Sequence, residues 1–434
     1  MKVYIKTLGC DKNTCDSEYI KGGLLNQGYK ITDDPFKADV MIVNTCGFIK
    51  DAKVQSIESI FELASIKTDK QKLFVTGCLS QRYAKELFIE MPEVDGFLGV
   101  NDYDKLNSLL HSNERLYFNS KASKCYEEFG SRAPIKGLWS APLKISDGCK
   151  NVCSYCAIPY IRGGYRSRDS QLIINEAKQL ASEGVKELIL VGQDVTAYET
   201  LPQLLKELCK IEGIHWIRIM YCYENEITDE LIKVIKDEDK IVKYLDIPLQ
   251  HYSDKILKSM NRRSTSKSIE RTIAKLRKEI PDIRIRTTFI VGYPGEHKED
   301  FKKLYDFVNK TEFDRLGVFT YSKEEGTRAE KLPGQVKEDA KLRRQDKIME
   351  LQRRISLEHN QELIGTIQEV LVEDLDSDGV YIGRTQYDAP DIDNEVIFTS
   401  KTKIKLGSFV QVIITDAFDY DLNGELVKWT FLTN

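Results

Sequence analysis

The chain opens with apolar runs that alternate with stretches of helical spacing. "KVYIKTLGC", "DVMIVNTCG", "KLFVTGC" and "VDGFLGV" carry too few polar positions to be half-exposed strands. Runs apolar on both faces predict strands covered from both sides, as in a parallel sheet. Between them lie "SEYIKGGLLNQGY", closed by Gly28, then "AKVQSIESIFELASI", "QRYAKELFIEM" and "YDKLNSLLH". Their apolar residues recur three and four apart, which predicts the covering helices. Residues 1–115 therefore read as a parallel α/β domain, and a loosely patterned stretch from roughly 115 to 140 follows.

A second domain, residues 135–364, repeats the unit six times. Its strand candidates are "LKISDG", "KELILVGQD", "WIRIMYC", "KYLDIPLQ", "IRIRTTFIVG" and "RLGVFTYS", separated by helical stretches such as "QLIINEAKQLASEG". Six β/α units predict a partial or closed barrel, with function at the C-terminal ends of its strands. The charged helix that leads out carries Ile348, Leu351 and Ile355 at helical spacing and reads as a docked connector. From residue 366 to 434 the pattern changes to short β runs broken by Gly, Asp and Asn, which predicts a small antiparallel β-barrel of OB-like size.

Composition narrows the setting. The chain has 434 residues, 41% hydrophobic and 30% charged, enough for two or three packed domains. No apolar run approaches the roughly 18 residues of a membrane helix, and the start lacks the h-region of a signal peptide. A cytoplasmic protein is expected, with its ten cysteines reduced and no membrane partner. The third segment holds 5 basic and 13 acidic residues from Thr366 onward. That balance favours a basic partner, and direct nucleic-acid binding is not expected.

The cysteines carry the chemistry. Cys149, Cys153 and Cys156 follow "LKIS" directly, on the functional face of the barrel. Three thiolates hold an iron–sulfur cluster and leave one iron open. Structural zinc is the plainer alternative, but it needs a fourth close ligand, and the histidines at 111, 215, 251, 297 and 359 are scattered. Cys10, Cys46 and Cys78 each end an apolar run of the first domain. Strand ends of one parallel sheet share an edge, so these three predict a second three-thiolate site. Cys15, Cys125, Cys209 and Cys222 read as structural, since a free thiol is most often a small apolar residue. Gly192, Gln193, Asp194 and Gln250 end barrel strands and are candidate cofactor contacts, with caps and turns as the plain alternative. Arg162, Arg166 and Arg168 follow the cluster loop, either to neutralise a cluster or as a solvated basic loop.

"CKNVCSYC" resembles the CxxxCxxC signature of radical S-adenosylmethionine enzymes, with Tyr155 at that family's aromatic position. End to end, the chain resembles the radical SAM methylthiotransferases: a three-Cys domain, a radical SAM barrel, then a TRAM domain. "TLGCDKNTCDSE", "NTCGFI", "YLDIPLQH" and "GRTQYDAPDID" are similar to the RimO-like branch, which methylthiolates an aspartate β-carbon on small-subunit ribosomal protein number twelve. The resemblance implies two [4Fe-4S] clusters, S-adenosyl-L-methionine, and an electron donor such as flavodoxin or ferredoxin. It implies radical cleavage of S-adenosylmethionine at the barrel cluster, sulfur from the second cluster, and a methyl group from a second S-adenosylmethionine. Two other classes stay open: MiaB-like methylthiolation of an adenosine in transfer RNA, and a non-catalytic iron–sulfur or zinc protein.

Overall fold

The computed structural model describes residues 1–122, 131–134 and 137–428, so Cys125 and Trp429 lie outside the described residues. The first domain runs β1 (Lys2–Thr7), α1 (Asp11–Asn26), β2 (Lys30–Ile31), β3 (Val40–Thr45), α2 (Lys50–Ile66), β4 (Lys72–Gly77), α3 (Cys78–Glu90), β5 (Gly96–Leu98), α4 (Leu106–Leu110) and β6 (Leu116–Phe118). Its sheet is wholly parallel in the order β2-β1-β3-β4-β5-β6. All six residues of β3 are buried, as its unbroken apolar run requires. The sixth strand falls in the stretch read as loosely patterned; three residues are too few to show a period.

The barrel domain continues with β7 (Ser140–Lys144), β8 (Ser146–Asp147), α5 (Ile158–Ile161), β9 (Arg166–Ser167), α6 (Ser170–Ser182), β10 (Glu187–Val191), α7 (Leu201–Cys209), β11 (Trp216–Ile219), α8 (Asp229–Asp237) and β12 (Ile241–Asp246). Then come α9 (Asp254–Ser259), α10 (Ser266–Glu279), β13 (Arg284–Val291), α11 (Lys298–Thr311), β14 (Arg315–Thr320) and α12 (Glu338–Gln361). Six of these strands form an open parallel sheet, β14-β13-β12-β11-β10-β7, so the barrel is partial. Its convex face packs Leu188, Leu190, Ile217, Ile219, Leu245 and Phe289 against the helices. Ile348, Leu351 and Ile355 of α12 join that core, as their spacing predicts.

The concave face is filled differently. Ile189, Val191, Trp216, Val242 and Tyr244 meet Cys15 and Tyr19 of α1 from one side and Leu371 and Ala389 of the third domain from the other. That third domain is a closed barrel of β15 (Ile367–Leu375), β16 (Val380–Thr385), β17 (Val396–Thr399), β18 (Phe409–Ala417) and β19 (Leu422–Lys428). Its pairings are antiparallel apart from β17 with β19.

Helix α1 thus serves two domains. Glu18 accepts from Arg132 at 2.6 Å, Arg132 also pairs with Glu176 of α6, and the Tyr19 hydroxyl donates to Glu176 at 2.8 Å. Two residues before Glu18, Asp16 meets Lys144 of β7 at 3.1 Å and Arg162 at 2.7 Å. These groups are buried, and such a network holds only while every charge keeps its partner. The helix starts at Asp11, six residues before the Ser17 start its apolar spacing suggested. Its first turns bury Asn13, Cys15, Asp16, Ser17 and Glu18 through polar contacts, so they show no apolar stripe.

Candidate active site

Strands β1, β3 and β4 are consecutive neighbours, and their ends lie level, with Thr7 paired to Asn44 and Thr45 to Gly77. The order 2-1-3-4 reverses crossover direction between β1 and β3, where open α/β sheets form a crevice at their carboxyl edge. Cys10, Cys46 and Cys78 leave those three strands at that edge. The loops approach closely. A Cβ on Gly47 would lie 2.7 Å from the backbone of Leu79, and one on Gly9, which has φ +93°, would lie 2.8 Å from Cys46 Cβ. Only glycine fits at either position.

Two of these thiols also occupy helix starts, which the sequence pattern did not reveal. Cys10 caps α1 and Cys78 is the first residue of α3. The positive end of a helix favours a thiolate there. Burial pushes the Cys78 thiol up to about 11, against the pull of Arg162 and with the charges of Cys46 and Cys10 adding to the rise. Burial likewise raises Cys46. Buried thiols of this kind ionise when a metal supplies the compensating charge, so the donor set suits a thiolate-held cluster.

The barrel trio sits on the loop between β8 and α5. The loop is held from several sides: Ser154 N donates to Met260 O at 2.9 Å, Asn261 Nδ2 to Val152 O at 2.9 Å, and Cys149 N to Gly163 O at 3.3 Å. Asn151 N donates to Cys149 Sγ at 3.3 Å. Burial raises Cys149, and it raises Cys156 well above the ordinary thiol range with Cys153 and Cys149 adding to the rise. Among the described residues, no three His, Cys, Asp or Glu side chains close on one point as the ligands of a single metal ion do.

The candidate cofactor contacts surround this loop. Asp194 accepts from Asn151 Nδ2 at 2.8 Å and caps a short 3-10 turn through Ala197 N at 3.1 Å, so it serves the cluster loop and the turn together. Gln193 Oε1 is buried without a hydrogen-bond partner, an acceptor whose donor the fold itself does not supply. A Cβ on Gly192 would lie 2.6 Å from Ser146 Oγ. Gln250 adopts φ +70° while its backbone bonds to β13 through Thr288 O and Ile290 N. Tyr155 packs against Met260, Tyr293 and Tyr321 beneath the loop.

The basic loop is buried. Arg162 is 2% exposed, and its Nη2 donates to Asn13 Oδ1 at 2.8 Å and to Cys78 Sγ at 3.3 Å. Arg168 is 4% exposed and donates to Glu176 at 2.7 Å. Arg162 comes six residues after Cys156 and touches a thiol of the other trio, so it joins the two candidate sites. A solvated loop is therefore the wrong reading for these two arginines. The remaining described cysteines lie outside both trios. Cys15 packs on the concave core with its thiol pushed by burial up to about 12, Cys222 packs in the convex core, and Cys209 ends α7.

Family models match all three domains: the Radical SAM superfamily over residues 143–308, the uncharacterized protein family UPF0004 over 2–99, and the TRAM domain over 364–427. The chain is 49% identical to the ribosomal protein uS12 methylthiotransferase RimO of Acetivibrio thermocellus, covering 98% of each chain. It is 46% identical to the protein of the same name from Clostridioides difficile, covering 98% of this chain and 99% of that one. Among solved structures it is similar in fold to the radical S-adenosylmethionine methyltransferase TsrM from Kitasatospora setae, with cobalamin and a [4Fe-4S] cluster bound. The TM-score is 0.57 at 12% identity, over 85% of this chain and 80% of that one.

Proposed function

Because the chain belongs to the family of ribosomal protein uS12 methylthiotransferases named RimO, we propose that it adds a methylthio group to the β-carbon of an aspartate in that ribosomal protein. It is a radical SAM enzyme, and an iron–sulfur cluster and S-adenosyl-L-methionine belong to its class. The observation that supports the finer reading is the pair of thiol trios at two sheet edges, linked through Arg162. A [4Fe-4S] cluster on Cys149, Cys153 and Cys156 would supply the electron that cleaves S-adenosyl-L-methionine, and one on Cys10, Cys46 and Cys78 the sulfur.

The chain's own residues do the positioning. Asn151 and Asp194 hold the cluster loop, and Gln193 Oε1 offers an acceptor to the methionine amino group. Tyr155 and the aromatic residues beneath it keep water from the loop. Arg162 donates to the sulfur of Cys78 and holds that thiolate against the barrel. A one-electron carrier of the flavodoxin or ferredoxin class serves as reductant. The acidic third domain suits a basic ribosomal protein as partner, met in the cytoplasm.

The test is anaerobic reconstitution followed by mass spectrometry of ribosomal protein uS12 and of transfer RNA. Two clusters predict about eight irons per chain. Cys153→Ala should abolish S-adenosylmethionine cleavage, and Cys46→Ala should keep cleavage but stop sulfur transfer. Methylthio-adenosine in transfer RNA, with unmodified uS12, would refute the proposal.

A further inference from the structure

Lys12 stands two residues after Cys10, in the first turn of α1. Its Nζ lies 3.5 Å from Gly192 O, at the end of β10, and 3.1 Å from the centroid of the Tyr221 ring, beyond the end of β11. Gly192 is two residues from Asp194, which binds Asn151 of the cluster loop. The ammonium therefore spans the gap between the sulfur-bearing edge of the first domain and the mouth of the barrel. Tyr221 is held there in an unusual backbone conformation, φ +57°, by its N–H donating to Asp246 Oδ2 at 3.1 Å. A tyrosine in that conformation costs energy, so the ring is fixed for what it does beneath the ammonium.

The reaction dictates what must enter this gap. The carbon that loses hydrogen to one site and gains sulfur from the other has to lie between them. In an aspartate that β-carbon is bonded directly to the side-chain carboxylate. The carboxylate must therefore enter the same gap, beside Asp194, which accepts from Asn151, and Asp246, which pairs with Arg286 at 3.3 Å. An anion brought there needs a cation within hydrogen-bonding reach. The Lys12 ammonium lies there, between Gly192 O and the Tyr221 ring. Resting on the aspartate reading above, we infer that Lys12 is the substrate-binding residue that receives the carboxylate of the target aspartate, and that it selects aspartate over its amide.

The test measures binding of two fluorescent peptides to reconstituted protein with S-adenosylmethionine. Both carry the target loop of ribosomal protein uS12, one with the native aspartate and one with asparagine in its place. Wild type should bind the aspartate peptide about ten- to a hundredfold more tightly, as for a charge-assisted contact. Lys12→Met should bind both peptides alike, at the weaker level, with iron content and thermal melting unchanged; Lys12→Arg should keep part of the preference. A wild-type protein with no preference would overturn the inference without recourse to a variant. So would Lys12→Met that keeps the preference, or that loses iron along with it. Mass spectrometry separates the two layers. If wild type leaves the aspartate unmodified, the functional reading fails; if it modifies it and the binding pattern is absent, only Lys12's role fails.

Discussion

Glu187 opens β10 and is completely buried where the third domain docks on the barrel. It accepts from Arg218 Nε at 2.7 Å, from Arg384 Nη2 at 2.6 Å and from Ser140 Oγ at 2.8 Å. Burial by itself would push this carboxyl up, but the two guanidiniums outweigh it and hold it at about 2, below the ordinary 4.5. At about 1.4 kcal/mol for each pH unit, that difference makes the ionised form worth about 3 kcal/mol to the folded state. Glu187→Gln keeps the shape and removes the charge. It should lower stability at pH 7 by about 3 kcal/mol, much of it from leaving Arg218 and Arg384 short of a counter-ion. The contribution is complete above 4.5 and disappears as pH falls toward 2, so wild type and variant should converge over that range. Urea unfolding of the metal-free protein, followed by tryptophan fluorescence, measures this at the right place. Trp216 packs edge-on against Phe409 at 4.8 Å, and Trp139 lies against Gly407, both across the junction. A variant within about 0.5 kcal/mol of wild type at pH 7, the range of an ordinary surface change, would refute the reasoning. So would a difference that does not shrink in acid.

The other predictions concern the thiol sites. Arg162→Gln strips a buried cation from Asp16 and Asp147, and should cost about 3–5 kcal/mol in unfolding experiments on the apoprotein; a neutral result would mean Lys144 alone satisfies both carboxylates. Gly47→Ala drives a methyl group into the backbone of Leu79, so iron bound per chain should fall toward four while cysteine alkylation at the first-domain trio rises. Full iron content in that variant would mean the loops separate without consequence. Cys153→Ala and Cys46→Ala, described above, should divide cofactor cleavage from sulfur transfer.

Much of this architecture could be read from the residues. Apolar runs located the parallel sheets because burial on both faces leaves no room for polar positions, and the strand order puts Cys10, Cys46 and Cys78 at one edge of the first sheet. The connector helix announced itself through Ile348, Leu351 and Ile355. What escaped was everything stabilised by buried charge. The first turns of α1 pack through Asn13, Asp16 and Glu18, which a hydrophobic pattern scores as surface. A wet loop stayed open as one of two readings for Arg162 and Arg168 because some of their partners lie far along the chain, Asn13 for Arg162 and Tyr19 for Arg168. Arg132 sat in an unremarkable stretch, yet it ties α1 to α6. Glycine beside each first-domain cysteine was a legible hint of tight loops, although only the backbone geometry reveals which neighbour excludes a side chain.

Helix α1 is wedged into the hollow of the barrel sheet by ion pairs at Asp16 and Glu18. Sliding it outward would strand several charges in a dry interface. The spacing between the two thiol-bearing edges is therefore fixed like a spark gap, set when the chain folds rather than when a client arrives. Under the proposed function, a client must then do the reaching, by presenting its target residue on a slender protruding loop rather than on a flat or helical surface.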